Sequence, residues 1–195
     1  MNKPIQLTLD LHYEPRILAD RSNFEQKGSK IMDIFPKIAE DSLTEMNAMV
    51  SAIPYNQRGI MLKPIVMNGN VCGKMMAAFP EYAQVRSDRR VSLVVDGTVI
   101  LFKKLDEKHK PNHFETLNST ALVSNRKPKN KNEGSIIWMG YTTSSDWRTI
   151  TGAYVICLDH NGQLKWGIDL FGRLDSPSID IVEPIIPTAP VLKST

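Results

Sequence analysis

The feature that most restricts how this chain can fold is the stretch Val91-Ser92-Leu93-Val94-Val95-Asp96-Gly97-Thr98-Val99-Ile100-Leu101-Phe102. Two runs rich in β-branched and aliphatic residues flank Asp-Gly, a pair that tolerates the positive φ angles of a type I′ turn. A helix through the same residues would hold the β-branched side chains in one rotamer and carry a glycine in its interior, so the hairpin is favoured. An isolated two-stranded hairpin is barely stable in water, so further strands or helices must cover it.

Those strands are legible downstream. Ser135–Tyr141, Gly152–Leu158 and Gln163–Leu170 read as strands, the last two joined by the turn Asp159-His160-Asn161-Gly162. In the first two, apolar residues occupy both parities, which predicts central strands with both faces covered. The third alternates, with Leu164, Trp166 and Ile168 expected inward. Upstream the signals are helical. Ser22-Asn23-Phe24-Glu25 has the form of a capping box, and Pro36 suits the first turn of a second helix ending at Pro54, with Phe35, Ile38, Met46, Met49 and Val50 facing the core. Residues 55–85 read as two helices, and Thr116–Val123 as one short helix. Leu7, Leu9 and Leu11 alternate with polar residues and suggest an edge strand within residues 1–21. The expected fold class is α+β: N-terminal helices packed on a mainly antiparallel sheet of about five strands in the C-terminal half. The expected domain is 1–176, followed by a Pro-rich extended or disordered tail at 177–195.

With 195 residues, 42% of them hydrophobic and 23% charged, such a fold can bury a core without staples. Cys72 and Cys157 have no companion Cys or His at ligand spacing, so both are read as small buried hydrophobes, with no metal site and no cofactor expected. No apolar run approaches the roughly 20 residues a membrane-spanning helix needs. The start Met1-Asn2-Lys3-Pro4 does not read as a signal peptide, so a cytoplasmic protein without membrane contact is expected.

The net charge of +3 is unevenly spread. Residues 1–85 hold nine basic and nine acidic side chains. Residues 86–131 hold eleven against five, and residues 132–195 hold four against seven. A basic middle third predicts an anionic partner, RNA or an acidic protein surface. The binding candidates are Arg89, Arg90, Lys103, Lys104, Lys127, Lys129 and Lys131, the last three within a stretch, Arg126–Asn132, that has little to bury and reads as a mobile loop.

Familiar enzyme signatures are missing: no phosphate-binding glycine loop, no His-Glu-x-x-His, no Gly-x-Ser-x-Gly. His109 and His113 lie among Lys103, Lys104, Lys108, Lys110, Asn112 and Thr116, and Pro111 prevents them from forming a helical metal-binding pair. An imidazole beside lysines is what metal-independent RNA cleavage requires, since one group must move the ribose 2′-OH proton and another must stabilise charge on the phosphate. His113, Lys104 and Arg89 are the catalytic candidates for that chemistry. Trp138, Tyr141, Trp147, Tyr154 and Trp166 are candidates for base stacking or for the core.

Phe102-Lys103-Lys104-Leu105, a polar turn reaching Thr116, a later Gly140-Tyr141 strand, Leu164-Lys165-Trp166 and a Pro-rich tail together resemble an uncharacterised family of small bacterial proteins. Members are often encoded beside a helix-turn-helix or ImmA/IrrE-type peptidase gene, in modules resembling toxin–antitoxin or phage-defence systems. The resemblance spans about residues 85–190 and implies an association rather than a mechanism. Three readings follow: a macromolecule-binding component of such a conflict module, with a cognate antitoxin or regulator as possible partner; a small ribonuclease-type toxin; or a non-catalytic interaction or inhibitor protein.

Overall fold

A computed structural model describes residues 4–85, 91–112, 116–129, 131 and 133–171. In chain order the elements are α1 (Pro4–His12), β1 (Tyr13–Pro15), α2 (Arg21–Lys27), α3 (Ser29–Ser51), a 3-10 turn (Tyr55–Gln57), α4 (Leu62–Ala78), β2 (Ala83–Val85), β3 (Val91–Val95) and β4 (Thr98–Lys104). There follow α5 (Leu117–Val123), β5 (Arg126–Pro128), β6 (Ile136–Thr143), β7 (Ile150–Leu158) and β8 (Leu164–Asp169). Six strands form one sheet in the order β2-β3-β4-β6-β7-β8, and β1 pairs with β5 separately. The β3–β4 hairpin turns through Asp96 at φ 47° and Gly97 at φ 75°, as the Asp-Gly pair requires. Every pairing is antiparallel except that of β4 with β6. A parallel pair needs a crossover, and here residues 105–135 make it, carrying α5 and β5 with them.

Both faces of the sheet are covered. On one, Ile100, Phe102, Ile137, Met139, Tyr141, Val155 and Cys157 pack with Phe35 and Met46 of α3 and Met67, Val71 and Met75 of α4. On the other, Val99, Leu101, Ile136, Trp138 and Ile156 pack with Leu122 and Val123 of α5. This double coverage is why both parities of β6 and β7 are apolar. At the N-terminal end of β6, Asn125 at φ 46° donates from Nδ2 to the carbonyls of Ile136 and Leu158, at 3.0 Å each, and accepts the Ile136 amide. Beside it the guanidinium of Arg16, 3% exposed, reaches Glu133 and the carbonyls of Gly134 and Arg126.

The structure corrects several expectations. Residues 4–12 form a helix, not an edge strand. The first cap is Asp20, whose carboxylate accepts the Asn23 amide, rather than Ser22. Pro36 lies inside α3, not in its first turn. An interior proline costs a helix about 3 kcal/mol, and the buried stripe of Ile31, Met32, Phe35, Ile38 and Ala39 offsets it. Residues 55–85 hold one α-helix and a single 3-10 turn. The sheet has six strands rather than five, because Ala83–Val85 adds an edge. Part of the stretch expected as a mobile loop is a strand: Arg126–Pro128 pairs with Tyr13–Pro15. The third downstream strand does not keep its apolar residues on one side. An irregularity between Cys157 and Leu158 pairs these with Trp166 and Leu164, so that Leu164 joins the α5 face while Trp166 and Ile168 join the other. The tail at 177–195 lies outside the described residues.

Candidate functional site

The binding candidates do not form one patch among the described residues. Lys103 and Lys104 close the C-terminal end of β4. Lys127 reaches Glu14 and the Lys131 carbonyl at 2.6 Å each, Lys129 donates to the Leu11 carbonyl, and Arg126 pairs with Asp10 at 2.6 Å. Asn125, adjacent to that cluster, is fixed to Ile136, which pairs with Val99. Five residues of strand, on the order of 17 Å, therefore separate it from Lys104. Arg89, Arg90 and His113 lie outside the described residues.

What the fold assembles instead is an open cleft of about 830 Å³ at the C-terminal ends of the parallel pair. It is lined by Lys104, residues 105–109 and Asn112 of the following loop, Thr142, Thr143, Ser145, Thr151 and Tyr154. The lining loop is tightly built. The Asp106 carboxylate accepts the amides of Lys108 and Lys110, and Leu105 bridges Pro111. Gly140 allows this loop to sit down on β6: a Cβ there would lie 2.3 Å from Leu105 Cγ. The loop holds His109 at φ 55° with its ring 4.4 Å from that of Tyr154. In the β6–β7 connection, Trp147 sits at φ 61°, a conformation that costs a bulky residue free energy. It is held by its own amide to the Ser144 carbonyl and by Asn47 of α3, which donates to its carbonyl at 2.8 Å. The Lys104 ammonium lies 3.9 Å from the centre of the Trp147 ring.

Of the four non-glycine residues with positive φ among those described, His109 lines this cleft and Trp147 lies under the ammonium of Lys104, which lines it. Strain of that kind concentrates where a surface must be held in one shape. Burial lowers the pKa of Lys104. Burial also raises that of Tyr154, with Asp169 adding to the effect and a hydrogen bond with Thr142 opposing it. The Thr151 hydroxyl donates to that of Thr142 at 2.8 Å, and Thr143 Oγ1 is buried without a hydrogen-bond partner. A cation backed by an aromatic ring, hydroxyls and an imidazole form a surface suited to phosphate or carboxylate oxygens.

Of the aromatic candidates, Trp138 and Tyr141 are buried, and the indole of Trp166 donates to the Ala19 carbonyl. Tyr154 lines the cleft, and Trp147 supports Lys104 beside it. The sequence reading missed Thr142, Thr143, Ser145 and Thr151; the hydroxyl-rich run at the end of β6 was the available signal. Among the described residues no group of three His, Cys, Asp or Glu side chains is placed to hold a metal ion, and no helix is long and apolar enough to cross a membrane. No family model, curated protein or solved structure matches the chain.

Proposed function

We propose that this chain is the binding component of a bacterial or phage conflict module and takes an anionic partner, RNA, in the cleft between Lys104 and His109. The observation that carries this reading is Lys104, held over a strained Trp147 and lining, together with hydroxyls and an imidazole, an open polar cleft. A cation held in place before the ligand arrives loses little rotamer entropy on binding, and the cleft is wide enough for a phosphodiester with a neighbouring base. The test is titration of single-stranded RNA at several salt concentrations. Lys104→Ala and Lys108→Ala should each weaken binding and lower the salt slope by roughly one, whereas Lys127→Ala and Lys129→Ala, removed from the cleft, should do neither. An unchanged affinity and slope in the cleft variants would refute the reading.

The ribonuclease alternative draws on a second observation, the His109 imidazole in the same cleft as Lys104 and Lys108. In that reading an imidazole, His109 or His113, takes the 2′-OH proton, the 2′-oxygen bonds to phosphorus as the P–O5′ bond breaks, the 5′-oxygen leaves with a proton from water, and Lys104 stabilises the phosphate. Intact RNA after prolonged incubation with the purified protein separates binding from cleavage.

A further inference from the structure

Five exposed large apolar residues lie between Met49 and Ile65, around the connection of α3 to α4. Ile60 is 97% exposed, Tyr55 87% and Ile65 65%, with Met61 and also Met49, which was expected to face the core, about half exposed. Single exposed apolar residues are ordinary, but five within seventeen residues, at the facing ends of two helices and in their connection, mark an apolar tip. The charge along the segment that carries them is one-sided. From Met46 to Pro80 the chain has no Asp or Glu, while it carries Arg58, Lys63 and Lys74. Lys74 pairs with Glu45 at the far side of the hairpin. Arg58 donates to the carbonyls of Ser51 and Ile53, so its guanidinium is tied to the C-terminal end of α3 and the turn after it. The connection is also anchored to the rest of the protein: Asn47 reaches the Trp147 carbonyl and Lys63 the Asp146 carbonyl.

We infer that this tip docks an acidic amphipathic segment of a partner protein, whose apolar side chains meet Tyr55, Ile60 and Ile65 and whose carboxylates meet Arg58 and Lys63. Charge decides the occupant. A second copy seated symmetrically on the tip would bring Arg58 and Lys63 against their own copies, which opposes association. RNA would leave the aliphatic side chains of Ile60 and Ile65 without stacking partners. An acidic segment with alternating apolar positions satisfies both the cations and the apolar centre. The inference is independent of the cleft, since none of these residues lines it.

The test is display selection of short random peptides on the full chain. Enriched peptides should be acidic with interspersed apolar residues. They should lose at least about tenfold in affinity for the Ile60→Ser/Ile65→Ser variant and for Lys63→Glu, and keep it for Lys104→Ala. Because Ile60 and Ile65 are exposed, the melting temperature of the double variant should match that of the parent, and this control shows that lost binding is not lost folding. Enrichment of neutral or basic peptides, or peptides indifferent to the double variant, overturns the inference. So does self-association abolished by Ile60→Ser, or binding to phosphatidylserine vesicles in place of the peptides.

Discussion

Lys104 shows how one residue can be set against the stability of the fold that carries it. Its folded-state pKa is lowered by burial, whereas in the unfolded chain it titrates near 10.4. Between the lowered value and about 10.4, unfolding takes up a proton, so this group makes the protein more stable as pH rises through that window. Below the window the charged ammonium is a cost to folding, which the Trp147 ring partly offsets. Lys104→Met keeps a side chain over the indole and removes the charge. It should melt no lower than the parent at neutral pH, flatten the alkaline part of the stability profile and weaken RNA binding. Calorimetry across pH with parallel titrations checks all three, and a lower melting temperature with intact binding would contradict them.

At the scale of elements, turns were readable and faces were not. Asp96-Gly97 announced its hairpin because the geometry resides in two residues. The Leu7, Leu9, Leu11 alternation was misleading because Pro4–His12 is helical and Leu9 is its buried side chain. Leu164 was misassigned because an irregularity in the partner strand, invisible in the sequence of β8, shifts the register. Two glycines test this division. At Gly97, φ is 75° and a Cβ would have open space, so Gly97→Val should cost about 1–3 kcal/mol through backbone strain alone. At Gly140 the backbone is ordinary strand and the cost is steric: Gly140→Ala must push Leu105 away, about 1–3 kcal/mol, and should also disturb the loop carrying His109. Denaturant melts give the two losses. Spectra of His109 should change for Gly140→Ala and not for Gly97→Val.

For the whole molecule, the helices, the hairpin and the C-terminal strands were legible as an α+β arrangement, while the cleft was not. Its residues come from 104–109, 112, 142, 143, 145, 151 and 154, brought together by a parallel pairing that no local pattern encodes. The basic middle third was likewise counted along the chain, but the fold sends one part to the end of β4 and ties the other to Asp10, Glu14 and the Leu11 carbonyl. Charge summed over a segment says nothing about which ends of a strand its members occupy.

The parallel seam between β4 and β6 also dictates the order in which the chain can assemble. The hairpins β3–β4 and β6–β7 each close over a short turn, and each can form on the timescale of microseconds. Joining them requires the whole crossover from 105 to 135 to be looped back, a larger entropic cost with no hydrogen bond gained until the two strands meet. Asn125 stands where that joining is secured, since one side chain ties the crossover to both β6 and β7. Asn125→Ala should therefore slow refolding, whereas Gly97→Val, within a single hairpin, should act more on unfolding; stopped-flow chevrons of the two variants with superimposable folding arms would show that the seam is not the slow step.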